Sequence, residues 1–345
     1  MNKFVKAGVA ALTVLSSGVA AQAEEARLKV ASAYPLSLVQ LGSLAKNLET
    51  NLNTISGGDV QVKMYEPNAL VPSLEIFDAV ANGSVDAGWA APGFWQSKEP
   101  SLALVSSVPF GPGAGEYLAW LKYGGGEDFL NAAYEKHNIH SELCGILAPE
   151  AAGWFREEIT SIDQFDGMKM RIFGLGGKVM QKLGVDTQLL GGGDVFPALE
   201  RGTIDAAEFS MPAIDLKLGF YQVAKHYYFP GWHQQSTMVD FIINKDKWDA
   251  MSEAQQGLIK LACEANITVG LAEGESIQGA ALAELESKGA IVHTWSPEIL
   301  ATFKSTWEEV VAEEAAADPA FNDAWNSLTK FRAEYEPWKA VGYLK

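Results

Sequence analysis

The sequence predicts an α/β chain built as two similar lobes with a cleft between them, followed by long helices. Three observations carry that prediction. One segment is written twice: Ile76–Ala87 (IFDAVANGSVDA) returns as Val195–Ala206 (VFPALERGTIDA), with Phe77/Phe196, Ala79/Ala198, Gly83/Gly202, Asp86/Asp205 and Ala87/Ala206 in register. Each copy reads as a helix end, a Gly stop and a short apolar strand ending in Asp-Ala. Strand-like and helix-like runs alternate around both copies, the pattern of an α/β fold. With 345 residues, 48% of them hydrophobic, the chain is long enough for two cores. Ligands of open α/β sheets bind beyond the carboxyl ends of the strands, and Glu208 falls at that place in the second copy.

The elements follow in order. Met1–Ala23 reads as a secretory signal, with Lys3 and Lys6 at its start, the apolar stretch Ala7–Val19, and Ala21-Gln22-Ala23 as the cleavage site. That stretch is too short to span a bilayer, so the mature protein is expected to be soluble and exported. Arg27–Ala31 reads as the first strand. Leu38–Leu52 has helical apolar spacing and stops near Gly57-Gly58, and Val60–Met64 alternates like a strand. After the first copy come a Gly/Pro-rich stretch, Pro109–Gly115, and a helix ended by Gly124-Gly125-Gly126. Leu143–Leu147 is a strand running to Pro149-Glu150. A second series then reads as strand Met168–Ile172, helix Gly177–Leu183, the second copy, and strand Met238–Ile243. Ser252–Lys288 is helical, Ile291–His293 a short strand, and Pro297–Ala317 and Pro319–Trp338 are long terminal helices. No low-complexity linker separates the halves, which implies crossing strands and hinge closure. The expected division is 1–23 as signal peptide, 24–148 plus 237–276 as lobe I, 149–236 plus 277–296 as lobe II, and 297–345 as a C-terminal helical segment.

Composition narrows the function. The 26 basic residues face 43 acidic ones, a net charge of −17, and removing the signal takes away two Lys more. That balance opposes nucleic acid and anionic membranes as partners. It still permits an anionic ligand, because a local Arg or a metal ion dominates a closed site. Cys144 lies in a strand-like run and Cys263 in a helix-like run far along the chain. Export permits a disulfide, yet two buried free thiols are the expectation. The Cys spacing is not that of a metal site.

The central constellation is Arg171 with Glu208 and Glu150. Arg171 stands near the end of the strand Met168–Ile172, before Gly174-Leu175-Gly176-Gly177. A guanidinium there clamps a carboxylate at two points, and the glycines let the helix N-terminus approach an anion. Glu208, between Ala207 and Phe209 on an apolar strand end, needs a partner. That partner is either an internal salt bridge, with Arg171 itself, or a hard cation. Glu150 alone passes for a solvated loop acid. Aromatic residues gather near the same strand ends, Phe94-Trp95 after the first copy and Tyr227-Tyr228-Phe229-Pro230-Gly231-Trp232 later. They read as core or as pocket walls. Gly174–Lys178 lacks the spacing of a P-loop, no Gly-x-Ser-x-Gly or His-Glu-x-x-His occurs, and His137 and His140 flank only a polar turn. Glu150 and Glu208 as the acid/base pair of a glycosidase have no further support.

The chain resembles the extracytoplasmic solute-binding proteins of TRAP (tripartite ATP-independent periplasmic) transporters over essentially its whole mature length. The resemblance rests on Gly153–Ile159, Met170-Arg171-Ile172, Gly191–Glu208 and Tyr227–Trp232, the last two being similar to the branch that binds 2-oxo acids and lactate with a metal ion. It implies a two-lobed periplasmic-binding-protein fold, a periplasmic location, a membrane permease as partner, and no enzymatic activity. By that resemblance Arg171 grips the substrate carboxylate, and Glu208 and Phe209 hold the metal. Glu150 lies between substrate and metal. Phe94, Trp95, Gln234 and Trp232 line the pocket, and the C-terminal helices can pack across a two-fold dimer.

The chain departs from the branch at three positions. Glu150 replaces the usual Gln, Phe209 the usual Trp, and Gln234 stands where an acid is common. Phe209 still offers its carbonyl. Two carboxylates around one ion suit a divalent cation, and oxygen ligands favour Ca²⁺, with Na⁺ the alternative. The expected solute is a small monocarboxylate, a 2-oxo acid such as pyruvate, or lactate. A larger sugar or aromatic acid, and a two-carboxylate hydrolase, are the rival readings.

Overall fold

The computed structural model describes residues 24–147 and 149–343. The expected signal segment lies outside the described residues. The strands are β1 (Ala26–Ser32), β2 (Val60–Tyr65), β3 (Ala87–Ala90), β4 (Ile139–Leu147), β5 (Gly153–Phe155), β6 (Lys169–Arg171), β7 (Asp186–Gln188), β8 (Ala206–Ala207), β9 (His226–Phe229), β10 (Thr237–Asn244) and β11 (Ile291–Thr294). The helices of the first half are α1 (Leu41–Ile55), α2 (Ile76–Ala81), α3 (Ser101–Leu104), α4 (Ala114–Tyr123) and α5 (Gly126–Glu135). Those of the second are α6 (Gly174–Lys182), α7 (Gly192–Arg201), α8 (Pro212–Leu218), α9 (Lys245–Asp249), α10 (Glu253–Ser287), α11 (Pro297–Ala317) and α12 (Pro319–Gly342). Among the described residues no helix is long and apolar enough to cross a membrane.

Two sheets form, in the orders β2-β1-β3-β10-β4 and β11-β9-β5-β8-β6-β7. Read from β7 inward, the second repeats the first. Three parallel strands, β2-β1-β3 or β7-β6-β8, are followed by an antiparallel one, β10 or β5. That antiparallel strand always comes from the other half of the chain, since β5 follows β4 and β10 follows β9. Two segments therefore cross between the lobes, as the absence of a linker implied.

The repeated segment builds the same corner twice. Gly83 and Gly202 sit at φ +76° and +69°, a left-handed conformation that stops α2 and α7 and that glycine adopts without strain. Asp86 Oδ2 accepts from the Lys29 N–H at 2.9 Å, and Asp205 Oδ2 from the Lys169 N–H at 3.0 Å. The Asp86 and Asp205 carbonyls accept from Asn244 N–H (2.9 Å) and Arg156 N–H (3.2 Å). Each Asp thus ties the parallel strand on one side to the antiparallel strand on the other. β3 and β8 begin at Ala87 and Ala206, so the strand starts where the sequence pattern ends it.

Helix α10 runs through what the sequence reads as one helical stretch. At 35 residues it is about 50 Å long and packs on both lobes. Gln40 bonds Glu273 on it from the first lobe, while Gln278 accepts from the Ala213 N–H of the second. The expectation of two free thiols is overturned: Cys144 and Cys263 are disulfide-bonded, with Cα atoms 4.1 Å apart across 119 residues of sequence. Packing brings them together, since α10 lies along β4 and Asn266 donates to the Cys144 carbonyl at 2.9 Å. The terminal helices fold back on their own chain. On α11, Glu313 and Glu314 pair with Lys182 and Lys178 of α6, and on α12 Arg332 and Lys339 both reach Glu116 of α4.

Candidate functional site

A small cavity lies between the lobes at the strand ends, lined by Tyr34, Leu41, Ala91, Phe94, Leu147, Glu150, Arg171, Phe173, Phe209, Ser210, Gln234 and Thr237. It leaves about 30 Å³ of free space for the centre of a water molecule. That exceeds the roughly 10–15 Å³ one water requires, but it admits only a few atoms.

The two crossing segments supply its floor. Glu150 stands on the one leaving β4, and His233 and Gln234 on the one leaving β9. They are stitched by Glu150 N–H to the Gln234 carbonyl (3.1 Å) and Gly231 N–H to the Glu150 carbonyl (3.1 Å). Gly231 has to be glycine, since a Cβ there would meet the Glu150 carbonyl oxygen at 2.2 Å.

Arg171, the last residue of β6, is buried against Glu208, which follows β8. Its Nη1 lies 3.0 Å from Glu208 Oε2, and that oxygen also accepts from the Phe173 N–H at 3.0 Å. Arg171 donates to the Glu208 carbonyl as well, and its guanidinium lies 5.0 Å from the centre of the Phe209 ring. The structure thus contains the internal salt bridge that was one reading of Glu208. Glu208 is fully buried, behind the cavity wall. Burial alone would raise its carboxyl, but the Arg171 guanidinium, with His233 and the Phe173 N–H, holds it below the usual carboxylate range.

Glu150 behaves oppositely. Its Oε1 accepts from Thr237 Oγ1 (2.6 Å) and Gln234 Nε2 (3.2 Å). Burial, followed by the nearby Glu208 charge, pushes its carboxyl well above the ordinary value. Burial also pushes the Tyr34 phenol up, with Glu150 and Asp240 adding to it, so the hydroxyl stays neutral as a donor.

Several buried polar atoms at this site have no partner among the described residues: Glu150 Oε2, Glu208 Oε1, Ser210 Oγ, Gln234 Oε1 and both ring nitrogens of His233. Each unsatisfied group costs about 1–3 kcal/mol, so such a cluster marks a place where something binds. One donor atom each from Glu150, Glu208 and His233 lies within 4.8 Å of the others, a spacing that fits a single cation.

Of the residues singled out by sequence, Glu150, Arg171, Phe94, Phe209 and Gln234 face the cavity, with Glu208 directly behind it. Trp95 and Trp232 do not line it. Trp95 packs on Phe77, and Trp232 lies between Phe110 and Phe303. Tyr227 and Tyr228 belong to strand β9 rather than to a loop. Tyr34, Ser210, His233 and Thr237 were not singled out. Tyr34 follows the carboxyl end of β1, the position that marked Glu208 in the second lobe, and His233 and Thr237 flank Gln234.

Two α/β lobes joined by crossing segments, with a small cavity between them at the strand ends, define the class of the solute-binding proteins. The chain belongs to the bacterial extracellular solute-binding proteins of family 7 (DctP), whose family model matches residues 33–318. The resemblance read from the sequence is thereby borne out. A monocarboxylate 2-oxoacid-binding periplasmic protein of Nostoc sp. is 34% identical over 330 residues, covering 95% of this chain and 90% of the relative. A TRAP transporter solute-binding protein of Bordetella bronchiseptica, a mixed-occupancy dimer with copurified calcium and picolinate in its active site, superposes with a TM-score of 0.90 at 33% identity, covering 92% of this chain and 95% of that one. One from Colwellia psychrerythraea, with bound calcium and pyruvate, gives 0.88 at 29% identity over 92% and 97% of the two chains. One from Pseudoalteromonas atlantica, with sodium and pyruvate, gives 0.88 at 28% identity over 91% and 96%.

Proposed function

We propose that this protein is the periplasmic binding component of a TRAP transporter. It captures a small 2-oxo monocarboxylate such as pyruvate, or lactate, together with Ca²⁺ (Na⁺ being the alternative), and delivers it to the membrane permease. The observation that carries the reading is the small cavity of about 30 Å³, with Arg171 on its wall and unpartnered carboxylate oxygens of Glu150 and Glu208 at its side.

Arg171 has Nη1 committed to Glu208, which leaves Nη2 as a donor to the solute carboxylate. Tyr34 adds a neutral hydroxyl. Glu208, Glu150 and the Phe209 carbonyl would hold the cation, and a bound divalent ion would neutralise the two acids and polarise the 2-oxo oxygen. The cavity size disfavours a sugar acid. Glu150 and Glu208 are both buried rather than set in a groove that would take a polysaccharide, so the protein is read as non-catalytic. The periplasmic location is supported by the signal pattern at Met1–Ala23 and by the disulfide. A homodimer is part of the proposal, supported by exposed Trp338, Val341 and Tyr343 near the end of the chain.

Calorimetry on chelator-treated protein tests this. Pyruvate should bind one to one in the presence of Ca²⁺, weaken at least tenfold without it, and outcompete galacturonate. Absence of binding by any 2-oxo acid or by lactate refutes the reading.

A further inference from the structure

We propose that Phe173 is a specificity-determining residue of the solute cavity. Seated against Gly93 of the other lobe, its ring walls off the apolar end and limits solutes to 2-oxo acids with a methyl tail, excluding branched ones. The inference rests on the proposed solute and names its size class.

Apart from its polar groups, the cavity is lined by Leu41, Ala91, Phe94, Leu147, Phe173 and Phe209. Phe209 covers the proposed carboxylate clamp, since its ring centre lies 5.0 Å from the Arg171 guanidinium. A solute held at Arg171 therefore has the other five residues left for its tail.

Phe173 is tied to that clamp. It stands two residues after Arg171 as the N-cap of α6, and its N–H donates to Glu208 Oε2 at 3.0 Å. The group that pairs with Arg171 thus also fixes the backbone that carries the ring. The ring in turn reaches the first lobe. It meets Phe94 edge-on, with centres 4.9 Å apart. A Cβ on Gly93, in the turn Pro92–Trp95 after β3, would stand 2.6 Å from Phe173 Cζ and 3.0 Å from Ser106 Oγ. The ring tip therefore occupies the space a side chain at position 93 would need. Gln96 Nε2 donates to the Gly174 carbonyl at 3.4 Å along the same lip. Phe173 is 5% exposed, so its ring yields to a longer tail only if the lobes part. The free space of about 30 Å³ takes no more than about three water-sized groups, and a branched tail has to displace the wall.

Calorimetry in Ca²⁺ tests this by comparing pyruvate with 4-methyl-2-oxopentanoate on the mature protein, Phe173→Ala and Phe173→Leu. One methylene in a hydrophobic pocket is worth about 10–200-fold, so wild type should favour pyruvate by about 100-fold or more. Phe173→Ala should narrow that ratio at least tenfold, and Phe173→Leu should fall between the two. The ratio is the readout, because general damage to the fold lowers both affinities together. Gly93→Ala should weaken pyruvate at least tenfold in wild type. On the Phe173→Ala background it should cost less than threefold, since the ring is gone and the unbonded Ser106 hydroxyl is free to turn away.

A wild type that binds the branched acid within tenfold of pyruvate, a ratio unchanged by Phe173→Ala, or equal Gly93→Ala losses on both backgrounds would each overturn the proposal. Pyruvate binding by wild type separates the two readings. If it persists beside any of these results, only the role of Phe173 fails; if wild type binds no 2-oxo acid and no lactate, the solute reading fails.

Discussion

Removing Arg171 tests the architecture of the site most directly, because the side chain pairs with buried Glu208 and is also the group proposed to hold the solute carboxylate. The Arg171–Glu208 pair is 3.0 Å long, with side chains 3% and 0% exposed. Arg171→Ala leaves Glu208 buried and uncompensated, which costs about 3–5 kcal/mol of stability. In the proposed role it would also delete the charge-assisted contacts to the solute carboxylate. At about 1.5 kcal/mol or more for each of two, that is about 3 kcal/mol, a loss in affinity of more than about 100-fold. The two losses separate in a double variant. Glu208→Gln on the Arg171→Ala background removes the stranded charge, so urea unfolding at pH 7.5 should recover about 2–4 kcal/mol. Calorimetry with pyruvate and Ca²⁺ should show no recovery of binding. An Arg171→Ala protein that binds pyruvate within tenfold of wild type refutes the carboxylate clamp. A double variant no more stable than the single one refutes the account of Glu208 as a charge that Arg171 compensates.

Further outcomes follow from the same structure. Glu150→Gln keeps the bonds to Thr237 and Gln234 but removes a charge facing the cation, so Ca²⁺ affinity should fall at least tenfold while Na⁺ affinity changes less than threefold, measured by calorimetry with pyruvate present. Replacing both Cys144 and Cys263 by Ser releases a loop of 119 residues, for which the chain-entropy estimate is about 5 kcal/mol; a denaturant midpoint that does not move would contradict it. Asp240, buried beside Tyr134 Oη (2.6 Å) and Ser141 Oγ (3.3 Å), has its carboxyl pushed up by burial to about 7. Because that lies above the unfolded value, the native state keeps a proton that the unfolded chain has released. The stability it contributes is therefore complete below about pH 4 and is lost as pH rises through about 7, an effect of about 4 kcal/mol. Asp240→Asn should flatten the fall of unfolding free energy between about pH 4 and 7; parallel profiles for the two proteins would exclude it.

Much of this molecule is legible in its sequence because the relevant signals are local. Gly83 and Gly202 stop helices through their own backbone freedom. Asp86 and Asp205 recur because the same corner is built in each sheet, so the repeat reports two lobes before any contact is seen. Arg171 and Glu208 stand at the carboxyl ends of strands, and the topology of an open α/β sheet carries such positions to the cleft wherever the lobes come from. The crossing of the chain, deduced from the missing linker, has the same origin.

What lay beyond the sequence depends on direction and on distance along the chain. Trp95 and Trp232 stand next to cavity residues in sequence, yet their rings turn into the core against Phe77 and between Phe110 and Phe303. In irregular segments no period of two or 3.6 says which way a side chain points. The helix-like run around Cys263 says nothing about which strand it will cover, so the bond to Cys144 follows from α10 packing along β4. His233 carries no marker in sequence, and its meaning comes from the free oxygens of Glu150 and Glu208, brought beside it from two other segments. Local chemistry wrote the lobes, the helix stops and the charged strand ends. Long-range packing, which sets side-chain direction and burial, chose which of the candidate groups meet in one cavity.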